Sequence, residues 1–136
     1  EAIGAPVWFE GLRHHASFPT GHPNYRQSLP PDAAQVRRML GDSDLVLLLG
    51  GPFFEDVWFA QGSHFPDGAK IAQIEETPER LAFNHRLDAG LVGAMKPTLA
   101  ALAEAVDAKA SPDFSRDALG RNSTLAAQRD AERQAY

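Results

Sequence analysis

Asp44-Leu45-Val46-Leu47-Leu48-Leu49-Gly50-Gly51 is the stretch that decides the fold. Five consecutive aliphatic residues without polar alternation describe a strand covered on both faces, as in a parallel sheet, and the glycine pair ends it. Ahead of it, Pro30-Pro31-Asp32 opens a helix. Asp32 can accept from the free N–H groups of the first turn, Ala33, Val36, Met39 and Leu40 recur at helical spacing, and Gly41 can close the element. Downstream, Ala69–Glu75 reads as a strand and Ala89–Gly93 as a weaker one. Between them a short helix is predicted from Thr77-Pro78-Glu79, with Thr77 as its cap and Leu81, Ala82 and His85 on or near one face. A longer helix is predicted from Met95-Lys96-Pro97 to about Ala108, with Leu99, Leu102, Ala103 and Val106 as its inner stripe. Ala5–Glu10 is a further strand at the start. Strands alternating with helices across short connections predict an α/β domain with a doubly wound parallel sheet.

Composition narrows the function. The 136 residues fit one domain, and a hydrophobic share of 43% is enough for a core. The longest apolar run is Leu45–Leu49, far below the roughly 20 residues a membrane span needs. A formal charge of −5 argues against a nucleic-acid surface, which needs clustered Lys and Arg. With no cysteine, disulfide scaffolds, thiolate zinc sites and cysteine nucleophiles are excluded. No signal-like segment opens the chain, so a cytoplasmic origin is the expectation.

Two features sit badly with a complete domain. Glu1–Val7 reads as the last turn of a helix entering a strand, with nothing before it to cover. Residues 109–136 are rich in Ala, Ser, Asp, Arg and Gln, as expected for an interdomain linker or a solvated helix.

A resemblance then organises these observations. Ala5-Pro6-Val7-Trp8 is followed by Phe18-Pro19-Thr20-Gly21-His22-Pro23-Asn24-Tyr25-Arg26, by Leu29-Pro30, and by the strand ending at Gly50-Gly51-Pro52-Phe53-Phe54. Later come Ile71-Ala72-Gln73-Ile74-Glu75 and Gly93-Ala94-Met95. This order and spacing resembles the middle domain of thiamine-diphosphate-dependent enzymes, most of all the benzoylformate decarboxylase branch, over residues 1–108, with 109–136 as a linker. The resemblance implies a six-stranded Rossmann-like sheet whose first strand is missing here. It implies a parent that decarboxylates a 2-oxo acid, an aromatic one by preference, with thiamine diphosphate and Mg2+ bound by its other two domains. This chain would then hold no complete active site and no cofactor, and would be inactive alone. Its partners would be the other domains and subunits of a homo-oligomer, without nucleic acid or membrane.

Few residues here suggest chemistry. His14, His15 and His22 share a loop and could form a metal or acid–base site, but no carboxylate stands at ligand spacing beside them. The resemblance gives His22 and Arg26 a place at a domain interface or the active-site entrance. Gly50 and Gly51 end a strand, where α/β folds bind ligands, and Glu75 could take a ribose hydroxyl or simply cap the turn that follows. A regulatory crevice for FAD, ADP or coenzyme A, as in acetohydroxyacid synthases, is the rival function. The FAD-binding branch places arginines where this chain has Pro52 and Val57-Trp58. Phe53, Phe54, Trp58, Phe59 and Phe65 read as satellite core or as a surface buried against another domain, and the fragment reading favours the second. Ser17, Ser43 and Ser63 lack a nucleophile elbow. A free-standing interaction domain of the same fold is the third reading.

Overall fold

The computed structural model describes residues 1–11, 17–55 and 62–135. Its elements are β1 (Val7–Glu10), β2 (Tyr25–Leu29), α1 (Ala33–Leu40), β3 (Leu45–Leu49), β4 (Lys70–Glu75), a 3-10 turn (Pro78–Arg80), β5 (Ala89–Val92), α2 (Met95–Lys109) and α3 (Pro112–Gln134). The chain divides into two units, residues 29–100 and residues 1–28 with 101–136.

The first of these units carries a parallel sheet in the order β3-β4-β5. Val46 stands beside Ile71 and Leu48 beside Gln73, while Ile74 pairs on to Leu91. The expected strands are all present, and Ile74 and Val36 are fully buried. α1 forms as its ends dictate: Asp32 Oδ1 accepts from the Gln35 N–H at 2.7 Å, and Gly41 stops the helix at φ 58° while donating to the Arg37 carbonyl. Arg37 and Arg38 in its last turn oppose the partial negative charge of the carboxyl end. α2 starts where Glu76 Oε1 accepts from the Met95 N–H at 2.6 Å.

Three expectations differ here. The segment after Thr77 is a single 3-10 turn, and Thr77 makes no side-chain cap bond. The amide that would have extended it, Ala82 N–H, is taken by the Gln73 side chain at 3.0 Å, and Ala82 turns to φ 57°. The stripe of α2 is also shallower than its spacing suggests. Leu99, Leu102 and Val106 are half-buried, Ala103 is exposed, and no residue of the helix is fully buried. The single doubly wound sheet is likewise divided, with β1 and β2 forming a separate two-stranded sheet.

The second unit was least legible. Its sheet includes β2, whose Tyr25-Arg26-Gln27-Ser28-Leu29 carries no aliphatic run, and its 109–136 stretch is the 23-residue helix α3. Ser111 Oγ caps α3 through the Phe114 N–H, with Pro112 in the first turn. α3 is held by polar arms. Arg121 donates to the Ile3 carbonyl, Asn122 to Glu1, Arg129 to Thr20 and Arg133 to Gly21, each at 2.8–3.0 Å. Buried Asn24 donates to both the Ala5 carbonyl and Asn122 Oδ1. Backbone approaches backbone at Gly4, where φ is 58° and a Cβ would lie 2.5 Å from the Ala118 carbonyl oxygen. Only glycine fits there.

Asp88 ties β5 to β4. Its N–H donates to the Ile71 carbonyl, and its Oδ2 accepts from the Ile71 N–H at 2.9 Å. That main-chain donor, and then the Lys70 ammonium 3.0 Å from Oδ1, hold the carboxyl below the ordinary aspartate range. A carboxyl lowered by folding stabilises the fold above its unfolded value, and that contribution disappears as the pH falls through the lowered folded value. In acid titrations followed by circular dichroism, Asp88→Asn is therefore expected to flatten the part of the stability profile below the ordinary aspartate range. An unchanged profile would show that the Ile71 and Lys70 contacts do not couple to folding.

Candidate functional site

The carboxyl ends of β3 and β4 form the crevice that α/β sheets use for ligands. A glycine pair and two side chains build it. Gly50 leaves β3 at φ 82° and donates to the Ile74 carbonyl, and a cis peptide joins Gly51 to Pro52. Gln73 stands beside Leu48 in the register and is buried. Its Nε2 donates to the carbonyls of Gly50 and Arg80, and its Oε1 accepts from Ala82. Glu75, only 4% exposed, ends β4. Its Oε1 accepts from the Glu76 and Thr77 N–H groups at 2.8 and 3.1 Å, while its Oε2 is buried with no hydrogen-bond partner.

Both readings of Glu75 thus find a correlate in one carboxylate: Oε1 caps the following turn, and Oε2 is left to accept a donor. Space is scarce, however. The cavity lined by Leu48, Pro52, Phe53, Gln73, Arg80 and His85 is about 10 Å3, room for one water. A larger depression, about 520 Å3, lies at the opposite, amino ends of the strands, beside Asp42, Asp44 and Asp67. Its acid rim is the wrong sign for a phosphate.

Beside the crevice stands an aromatic cluster. Phe54, at φ 51°, stacks on the buried His64 ring with centroids 4.2 Å apart and planes 12° apart, and Phe65 and His85 meet it edge-on. Phe54 and Phe65 are therefore satellite core within this unit. Phe53 is half-buried, its carbonyl accepting from Asn84 Nδ2 at 2.8 Å. Among the described residues beside this cluster, Phe83 faces solvent at 64% exposed.

The loop residues sit in the other unit. His22 Nδ1 accepts from the Asn24 N–H, which leaves Nε2 to face Glu1 Oε1 at 3.1 Å, and Phe18 meets the ring edge-on. Arg26 turns inward: its side chain is 8% exposed, Nη2 donates to the Leu125 carbonyl at 2.9 Å, and Glu132 lies 3.7 Å from Nη1. His14, His15, Val57, Trp58 and Phe59 lie outside the described residues. Gln73 and His64 are buried polar side chains that the sequence does not single out. A polar residue inside Ile71-Ala72-Gln73-Ile74, opposite a glycine-ended strand, was the available signal.

The thiamine diphosphate and Mg2+ implied for the parent do not fit these residues. Among the described residues no three of His, Cys, Asp or Glu come together as a metal site. The unpaired Glu75 oxygen in the crevice would also repel a diphosphate.

Gly51 explains the crevice's tightness. A Cβ there would lie 2.7 Å from Gln73 Nε2 and 3.0 Å from Glu75 Oε2, and Gln73 is pinned by its own hydrogen bonds. Gly51→Ala is expected to lower stability by about 1–3 kcal/mol in urea unfolding through overpacking. Gly50→Ala meets nothing within 4 Å and should cost only its left-handed backbone, about 1–2 kcal/mol. Equal stability of Gly51→Ala and the wild type would show that Gln73 moves freely.

The thiamine pyrophosphate enzyme central domain family matches residues 1–102. Benzoylformate decarboxylase of Pseudomonas aeruginosa is 37% identical over 112 residues, which cover 82% of this chain and 21% of that one. The solved thiamine diphosphate-dependent 4-hydroxybenzoylformate decarboxylase of Rhodococcus jostii RHA1 superposes with a TM-score of 0.67 at 30% identity, over 80% of this chain and 21% of that one. Benzoylformate decarboxylase from Polynucleobacter necessarius gives 0.67 at 25% identity, over 76% and 19%. The chain spans about a fifth of the length of these relatives. With the family matched over most of its residues, this chain belongs to the thiamine pyrophosphate enzyme central domains.

Proposed function

We propose that this chain is the middle domain of a thiamine-diphosphate-dependent decarboxylase acting on benzoylformate or a similar aromatic 2-oxo acid, and that its own part is to position the catalytic domains of a cytoplasmic homo-oligomer. The observation that carries this is the 37% identity to a benzoylformate decarboxylase across 82% of the chain. The crevice supports it, because Gln73 spends its side-chain amide on main-chain groups. On this reading His22, Arg26, Phe53, Phe54 and Trp58 serve interfaces or their support, residues 109–136 lead toward the next domain, and the sheet of the intact domain includes one further strand. The cofactor supplies an electron sink to the substrate carbonyl once bound in the other domains. The longer polypeptide, given thiamine diphosphate and Mg2+, is expected to convert benzoylformate to benzaldehyde and CO2. Residues 1–136 alone should show neither turnover nor heat of thiamine diphosphate binding in calorimetry. Stoichiometric binding to the chain alone would overturn the positioning role.

One observation favours a second reading. The buried Oε2 of Glu75 lacks a donor beside Gly51, and a ribose hydroxyl of FAD, ADP or coenzyme A would supply one. On that reading the domain regulates its parent, and Gln73 Nε2 and Glu75 Oε2, which crowd Gly51, must part to admit the ribose. ADP would then raise the melting temperature of the chain, with no such rise in Glu75→Gln. No shift with ADP, FAD or coenzyme A would leave Glu75 as a cap.

A further inference from the structure

Within the unit that holds α3, two guanidinium groups converge on one carboxylate. Glu132 Oε1 lies 3.7 Å from Arg26 Nη1, and Glu132 Oε2 accepts from Arg129 Nη1 at 3.2 Å. Two arginines thus share one acid, and neither is fully satisfied. Arg26 Nη1 and Arg129 Nε are both buried without a hydrogen-bond partner. At 3.7 Å the Arg26–Glu132 contact is an ion pair, too long for a hydrogen bond. One further donor of each arginine is committed to main chain: Arg26 Nη2 to the Leu125 carbonyl at 2.9 Å, and Arg129 Nη2 to the Thr20 carbonyl at 3.0 Å. The Tyr25 ring lies 5.5 Å from the Arg129 guanidinium carbon and is itself packed against Phe9 at 5.1 Å. Both guanidinium groups are therefore held by their surroundings, independently of Glu132.

Burial divides the group unevenly. The side chain of Arg26 is 8% exposed and that of Glu132 is 49% exposed. A buried guanidinium is costly unless its pairing is close and its donors are met, and arginine–carboxylate pairs that serve structure are short and often bidentate. This pair is neither. The carboxylate stands on the solvent side, where rotation of one side chain removes it and vacates its place, while α3 keeps its bonds to Ile3, Thr20 and Gly21.

We propose that Arg26 and Arg129 form a binding site for a small carboxylate anion, and that Glu132 is its internal occupant, which keeps the site closed until an external carboxylate displaces it. The exchange conserves charge, since one monovalent carboxylate replaces another. Glu132 is tethered to the helix that carries Arg129, and from there its Oε1 stops short of Arg26 Nη1. An untethered anion can close that gap and accept from both arginines. A carboxylate fits better than a phosphate because the present occupant sets the geometry: two coplanar oxygens, one facing each guanidinium. A 2-oxo acid carries such a group, but the site stands on charge and geometry alone and holds whether or not the parent is a decarboxylase.

Titration of residues 1–136 with sodium acetate at constant ionic strength, followed by the NMR signals of nitrogen-15-labelled arginine side chains, tests this without cofactor or turnover. Glu132→Ala removes the internal occupant and leaves its place open. In that variant the Arg26 and Arg129 signals are expected to move saturably, with an affinity for acetate at least about tenfold above that of the wild type, whose own carboxylate competes. Adding Arg26→Lys to Glu132→Ala replaces the planar fork with a point charge and should abolish the saturable shift. Inorganic phosphate should bind Glu132→Ala more weakly than acetate does. Equal acetate affinity in the wild type and Glu132→Ala would overturn the proposal, as would a shift in Glu132→Ala that never saturates and matches that given by chloride. Tighter binding of phosphate than of acetate would overturn the assignment to a carboxylate. If the double variant does not fold, the wild type against Glu132→Ala decides the question alone.

Discussion

The side-chain amide of Gln73 makes three hydrogen bonds at the end of β4, donating to the carbonyls of Gly50 and Arg80 and accepting from Ala82. A buried amide left unpaired costs about 1–3 kcal/mol, so these partners must stay in place. From that constraint the rest of the crevice follows. Ala82 is drawn out of helical geometry, which stops the 3-10 turn at Arg80. Gly51 can carry no side chain, because Gln73 Nε2 occupies the space a Cβ would take. Leu81 is set over Gly90 of β5, whose own Cβ would lie 3.0 Å from a Leu81 methyl. A single polar residue on a strand thus spaces the turn after β3, the turn after β4 and the surface of β5.

That economy leaves few polar groups in reserve at the carboxyl ends. A site that binds and reacts holds polar groups in reserve, aimed at a ligand. Here the main-chain and side-chain groups at the carboxyl ends bond to one another, and the remaining cavity takes about one water. Glu75 is the exception, with one oxygen spent on the Glu76 and Thr77 amides and one left over. The leftover oxygen is buried without a partner, which suits a hydroxyl or amide donor.

The parallel strands were legible because burial on both faces writes itself as an aliphatic run, and β3 and β4 start within a residue of their predicted positions. α1 was legible because Asp32 and Gly41 punctuate it. The failures share a cause. Thr77-Pro78 carries the local signs of a helix start, but Gln73 and Glu75 take the amides that a helix and its cap would have used. β2 and α3 carry little apolar patterning, since they are held by side chains reaching main-chain carbonyls about 100 residues away, as Arg26 does at Leu125 and Arg121 at Ile3. Such bonds leave no periodic trace. Arg26, which the resemblance gives a place at a domain interface or the active-site entrance, lies against α3 in the same way.

Where the apolar surface remains open also carries an argument. Monomeric proteins scatter single exposed hydrophobics freely, so one such residue means nothing. In the 29–100 unit, though, Leu45, Leu49, Leu91 and Val92 are all about half exposed, and all lie on the two outer strands of a three-stranded sheet. The middle strand holds the buried set instead: Ile71, Gln73, Ile74 and Glu75. The sheet is closed at its centre and apolar at its margins, in a chain that spans about a fifth of the length of the relatives it matches. The crevice and the margins of the sheet thus differ in kind: hydrogen bonds are satisfied among the chain's own groups in the first, and apolar side chains stay exposed on the second.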